Sequence, residues 1–387
     1  MPDLEEGFAQ PGENRQNAPK LTLARGTRVS LKVWFDVQQL YYLPQYEPVY
    51  RQLVAQGHEC QFLIYQLDSS DEILSTFLKT TDLPVIALTE SEVIEFYRKN
   101  PADWIVFGNT FKHFDQLPAS TKTALLYHGI GVKECYYGEA LSKFDVRFTE
   151  GHFRQRELSD RYPKAHFVET GFAKLDPLAD KAEIADLQFD LKSVGLSEDK
   201  PTLLYAPTFY PSSIELMGKN WPATFADCNI IIKPHFFSYT NKKYKAQRKL
   251  LEHWSSFENT YLAKPTELSL IPYMARADLL ISEASSALFE FAALDKPVIW
   301  LDFFKLRWGY RGPFRYRFEK RMDQTIQKYR DVGRHVDKVA NLETAIQEEL
   351  ANPASNQSNR SKTTQELIGD VDGKVANRIV EYLINNG

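Results

Sequence analysis

LLISEASSALFEFAALDKPVI, residues 279–299, reads as one strand–helix–strand unit. An apolar run fills ADLLIS (277–282) and another fills KPVIWLD (296–302), each of strand length. Between them SSALFEFAAL (285–294) carries apolar residues at helical spacing, with Ser285 and Ser286 at its start. Two short strands joined by a helix are parallel neighbours in one sheet. This unit fixes the fold class as α/β.

The same alternation extends outward in both directions. TLLYAPT (202–208) and NIIIKPH (229–235) read as strands, and NKKYKAQRKLLEHW (241–254) and ELSLIPYMA (267–275) as helices. The first half repeats the pattern, with strands at 30–36, 59–65, 83–88, 103–108, 123–129 and 145–150 and helices at 46–57, 71–79 and 91–100. Two Rossmann-like domains facing a central cleft are therefore expected, at 29–185 and 198–345. A charged helical connection, 180–201, would join them. Residues 1–28 are polar and rich in Pro, Gly, Asn and Gln, which predicts a mobile arm. ANPASNQSNRSKTTQ (351–365) reads as a polar loop. Asp372 then caps a last amphipathic helix within 366–387, expected to cross back to the first domain.

Composition removes several function classes. Apolar residues make up 43% of the 387 and charged residues 25%, ordinary for a globular protein, and the net charge of -4 argues against general nucleic-acid binding. Cys60, Cys135 and Cys228 are far apart and odd in number, so neither a disulfide framework nor a zinc spacing is present. No apolar run approaches the roughly 18–20 residues that span a bilayer. The N-terminus lacks the apolar segment of a secretory signal, and a cytoplasmic location is expected. There is no GxGxxG after a strand and no P-loop. The Asp370/Asp372 pair precedes a helix, where capping explains it better than metal binding. No cofactor and no metal are expected.

Four segments fall just past strand ends, where α/β proteins place ligands. In LLYHGIGVKE (125–134), His128 is followed by Gly129, which permits close backbone approach, and by Lys133. A histidine beside a lysine suits proton transfer next to a phosphate, although a plain loop histidine has the same signature. In IIIKPHFF (230–237), Lys233 and His235 leave a strand together; a surface turn is the alternative. In the 279–299 unit, Glu283 ends the strand and Ser285 and Ser286 offer hydroxyls and free N–H groups to an anion; simple capping is the alternative. LDFFKLRWGYRGPFRYRFEKR (301–321) interleaves basic and aromatic residues. It suits a polyanion or an anionic membrane surface, and equally a solvated loop.

Taken together and in order, these segments resemble the CDP-glycerol glycerophosphotransferase family. The family's HG-T-P-x-K-like loop, G-x-P-R-x-D-like turn, APT strand end, K/R-x-H strand end, T-D-Y-S-S-x-x-F-D-F helix start and final Asp…Arg-Gly-Phe stretch correspond to YHGIGVK (127–133), GFAKLD (171–176), YAPTF (205–209), IKPH (232–235), SEASSALFEF (282–291) and LDFF…YRGPF (301–314). The likeness spans about residues 120–385. It departs at Ile130-Gly131, at Lys174 and at Glu283-Ala284, which leaves glycerol, ribitol or a sugar open as the donor's group. Without the long N-terminal region of larger members, a primase-like or short-chain member is expected.

The resemblance implies a GT-B fold and transfer of a polyol phosphate from a CDP-activated donor to an acceptor hydroxyl. The acceptor would be a polyol phosphate or a lipid-linked glycan in teichoic-acid or capsule-like synthesis, with peripheral contact at the inner face of the membrane. It implies His128 as general base and His235 as phosphate stabiliser. Gly129, Lys133, Lys174, Thr208, Lys233, Glu283, Ser285, Ser286, Asp302 and Arg311 would bind substrate. The remaining histidines, His335 among them, are expected at the surface or in packing. A GT-B glycosyltransferase, a nucleotide-sugar epimerase and a non-catalytic polyanion binder are the competing readings.

Overall fold

The computed structural model describes residues 30–387 except 67–70, 132 and 180, so the arm expected at 1–28 lies outside the described residues. Two parallel sheets form. The first holds β1 (Lys32–Val37), β2 (Glu59–Tyr65), β3 (Val85–Leu88), β4 (Trp104–Phe107), β5 (Lys122–Leu126), β6 (Val146–Thr149) and β7 (Phe167–Glu169) in the order β3-β2-β1-β4-β5-β6-β7. The second holds β8 (Thr202–Tyr205), β9 (Asn229–Ile232), β10 (Thr260–Leu262), β11 (Leu279–Ser282), β12 (Val298–Leu301) and β13 (Arg334–Val336) in the order β10-β9-β8-β11-β12-β13. Each order reverses once, beside β1 and beside β8, and ligands of open α/β sheets bind outside strand ends at such reversals.

Buried apolar strands drive both sheets. Ile105, Val106 and Phe107 of β4 in the first sheet are buried, as are Ile230, Ile231 and Ile232 of β9 and Leu279, Leu280 and Ile281 of β11 in the second. One core cluster joins the halves: Ile130, Phe153, Phe172 and Leu175 pack with Leu204, Ile231, Leu280 and Phe289. The facing strand ends are therefore held at a fixed spacing. No helix of the described residues is long and apolar enough to cross a membrane.

The chain's last helix, Val375–Asn385, returns to the first sheet. Ile379, Val380 and Leu383 pack in the cluster that holds Phe35 and Trp104, and the Trp104 indole N–H donates to the Leu383 carbonyl at 3.0 Å. Its cap is not the expected Asp372. Asp176, from the GFAKLD turn, accepts the N–H groups of Val375 at 3.1 Å and Ala376 at 2.7 Å. Asp372 accepts the N–H of Lys374, one residue before the helix, at 3.0 Å, and pairs with Arg378 at 2.8 Å. A carboxylate brought in by tertiary packing takes the first helical N–H groups, and the local one is left with the residue before them.

The expected loop at 351–365 is a second correction, because Gln357–Leu367 is helical. Its inward residues, Arg360, Thr363 and Leu367, keep helical spacing, but two of them are polar and hide the periodicity. Arg360 is 1% exposed, and its Nε and Nη2 donate to Asp295 Oδ1 at 3.1 and 3.0 Å.

Candidate active site

The carboxyl ends of both sheets open onto a cavity of about 320 Å³. Loops after β1, β5, β8, β9 and β11 supply Tyr41, His128, Thr208, His235 and Ser286 to its wall, and Gly129, Lys133, Lys174, Lys233 and Ser285 complete the expected residues found there. The two halves nearly touch at this point. A Cβ added to Gly129 would lie 3.3 Å from the Ser286 hydroxyl, so a side chain there would crowd the domain boundary.

The two histidines are held as opposite tautomers. His128 Nδ1 lies 2.8 Å from the Gly108 carbonyl, which can only accept, so Nδ1 carries the proton and Nε2 keeps a free lone pair. A Cβ on Gly108 would meet Tyr42 and Tyr46 at 2.6 Å, so this carbonyl reaches the ring because the residue is glycine. At His235 the Phe237 N–H donates to Nδ1 at 3.1 Å. The proton of the neutral ring therefore sits on Nε2, as a donor. Burial pushes the His128 imidazolium down to about 4, with the Gly108 carbonyl opposing and Lys174 and Lys133 adding to it. Burial, Lys133, His128 and Lys233 push His235 down to about 3. Both rings are neutral at pH 7.

Lysines surround them. Burial brings Lys233 down to about 8 against the pull of Glu267, and lowers Lys133 as well. Lys174 is paired with Glu290 at 2.6 Å. The helix after the serine pair, Ser286–Ala292, has only seven residues, so the hydroxyls matter more than its dipole. Ser282 donates to the Ala206 carbonyl at 2.6 Å, so in its 2.9 Å contact with Ser285 the hydrogen comes from Ser285. The Ser286 hydroxyl carries no such bond and faces the cavity.

A second cavity of about 280 Å³ adjoins the first and shares Lys133, Thr208 and Ala284 with it. Glu283 and Asp302 lie in its wall. Glu283 is buried and already occupied: it accepts the Thr208 N–H at 2.8 Å and the Ser213 N–H and hydroxyl, clamping the loop after β8. Asp302 pairs with Arg330 at 2.6 Å and with His335 at 2.9 Å. Burial alone would raise its carboxyl, but His335 and Arg330 outweigh burial and hold it low. Arg311 does not join either group. It is exposed, and its guanidinium donates to the Leu306 carbonyl. The sequence reading missed Tyr41, Arg330 and the pairing of His335. Tyr41 follows a strand end and could have been found by that rule; Arg330 lies in a kinked 3-10 segment, Thr325–Val332, far from any strand end by pattern.

With this geometry in place, residues 158–385 match the family model described as CDP-glycerol:poly(glycerophosphate) glycerophosphotransferase. The chain belongs to this family. The match starts after the His128 loop, so that histidine rests on the geometry above. A curated relative, the teichoic acid poly(glycerol phosphate) polymerase of Bacillus spizizenii, is 28% identical over 172 residues, 41% of this chain. The chain spans 40% of the length of that relative. The glycerophosphotransferase fold extends further than these sequences do. A histidine-to-asparagine variant of the wall teichoic acid polymerase TagF, soaked with CDPG, aligns with a TM-score of 0.64 at 12% identity, over 92% of this chain and 88% of that one. The UDP-GlcNAc 2-epimerase of Neisseria meningitidis, bound to UDP-GlcNAc, aligns at 0.56 and 14% identity, over 92% of this chain and all of that one. The family member described here thus has the two-domain GT-B architecture.

Proposed function

We propose that this chain transfers a polyol phosphate, glycerol phosphate in the first instance, from a CDP-activated donor to an acceptor hydroxyl during synthesis of a teichoic-acid-like polymer. The observation that carries this reading is the pair of neutral histidines of opposite tautomer, set among lysines in one interdomain cavity. His128 Nε2 takes the proton of the acceptor hydroxyl. The freed oxygen attacks the phosphorus that bears the polyol, forming the new P–O bond. The bridging P–O bond breaks, and CMP leaves with the bridging oxygen. The His235 Nε2–H, Lys133, Lys233 and the Ser286 hydroxyl donate to the phosphate oxygens as charge develops. Lys174 adds positive charge beside His128, while Thr208, Ser285, Glu283 and Asp302 shape the donor side.

Trp308 and Tyr316 stand 79% and 50% exposed among Lys305, Arg307, Arg311, Arg315, Arg317 and Lys320. This surface suits peripheral docking on the anionic inner face of a membrane, where a lipid-linked glycan or polyol-phosphate acceptor is anchored.

The test is CMP release from CDP-glycerol in single-turnover reactions of the parent, His128→Ala and His235→Ala. Each variant is expected to lose about 10²–10⁴-fold in rate while remaining folded. UDP release from UDP-sugars, with no CMP from CDP-polyols, would replace this reading with a glycosyltransferase.

A further inference from the structure

Tyr41 touches both histidines. It lies in the turn Leu40–Tyr42, just past β1, and so belongs to the first sheet. Its ring centroid is 5.2 Å from that of His128, nearly edge-on at 75°, and 5.3 Å from that of His235 at 60°. It also reaches Phe236 at 6.1 Å and Phe237 at 5.8 Å, in the second half of the chain. Tyr42 and Tyr127 stack on His128 at 4.5 Å and 14° and at 4.6 Å and 24°, and Phe209 and Phe237 pack on His235 at 4.6 and 5.1 Å. Tyr41 is the ring these two aromatic sets share, edge-on to His128 and tilted against His235.

We infer that the Tyr41 ring is a positioning residue that sets the separation of His128 and His235 across the domain boundary and keeps water off both. The inference rests on the transfer chemistry proposed above for its catalytic consequence, but its physical content is independent of it. A phenyl-type ring is a rigid spacer with few rotamers, and the two imidazoles it spaces arrive on loops from different sheets. The shared core spaces the strand ends, but the histidines sit on the loops beyond them, and Tyr41 is the ring that packs on both. The ring also adds to the apolar cover over both imidazoles, which disfavours their charged form. The charged groups facing these rings are Lys133 and Lys174 at His128, and Lys133 and Lys233 at His235. Glu290 pairs with Lys174. All are retained when Tyr41 alone is changed.

The experiment compares Tyr41→Phe with two aliphatic variants, Tyr41→Leu and Tyr41→Met, the latter unbranched and more adaptable in case the former does not fold. The full chain, labelled at histidine, is titrated by NMR without ligand, and kcat and KM for CDP-glycerol are measured in parallel. Tyr41→Phe should titrate as the parent does and keep near-parental kcat. The aliphatic variants should move both imidazoles upward toward about 6.5. They should also lose about 100-fold in kcat with little change in donor KM. Unmoved imidazoles in a folded aliphatic variant would overturn the inference. So would a Tyr41→Phe variant that alone reproduces the loss, since the hydroxyl would then carry the role. Upward shifts in a protein whose parent turns over no CDP-polyol would sustain the positioning role and remove the transferase reading instead.

Discussion

Lys174 Nζ and Glu290 Oε2 meet at 2.6 Å across the domain boundary, with side chains 13% and 2% exposed. Lys174 lies in the GFAKLD turn, two residues before the Asp176 that caps the last helix; Glu290 lies on the helix that follows the serine pair. The pair therefore ties the two halves together beside the histidines.

Breaking it from one side leaves a charge stranded. Lys174→Met should cost about 3–5 kcal/mol of stability, because Glu290 is left buried without its cation. The double variant Lys174→Met/Glu290→Leu should recover most of that. Urea titration of parent, single and double variants measures it. A single variant as stable as the parent would mean that the pair contributes no interdomain hold.

The serines should separate. Ser285 spends its hydrogen on Ser282, whereas the Ser286 hydroxyl is open to the cavity. Ser286→Ala should weaken CDP-glycerol binding about 10–100-fold, as expected for a lost hydrogen bond to a charged group of about 1.5–3 kcal/mol. Ser285→Ala should change binding little. Calorimetric titration of both variants decides, and equal losses would contradict the assignment.

The pH dependence of kcat/KM follows from the free protein's groups. His128 becomes protonated only near about 4, and Lys233 loses its proton near about 8. The profile should be flat through pH 6–7 (roughly), with an acid limb near the first value and an alkaline limb near the second. An acid limb at the ordinary histidine value would show the base to be solvated. Stability has its own sign. Below about 6.5 the unfolded chain binds protons on these histidines while the folded chain does not, so stability falls as pH drops from there toward 4.

Much of this was legible in the sequence, for identifiable reasons. Strands such as β4 in the first sheet and β9 in the second are continuous apolar runs, and they announced both sheets. The three-residue strands β7, β10 and β13 were not seen, because so short a run has no period to detect. Strand-end position brought His128, His235, Lys233 and Ser286 to one cavity. Arg311 failed because a basic residue in an aromatic-rich loop can fold onto its own backbone, as its bond to the Leu306 carbonyl does. The tautomers were invisible, since they depend on a carbonyl at Gly108 and an N–H at Phe237 that only the folded backbone presents. Asp176 was hidden by distance along the chain, being about two hundred residues from the helix it caps.

That long-range closure bears on how the chain is made. The first sheet is finished at Glu169, yet Ile379, Val380 and Leu383 belong to its core. At about 5–20 residues per second, roughly 10–40 s of translation separate the last strand of that sheet from the helix that covers it. During that interval the apolar face around Phe35 and Trp104 waits on the ribosome without its lid, and a chaperone or a neighbouring nascent chain has first access to it. A protein truncated before Val375 would keep that face open for its whole lifetime.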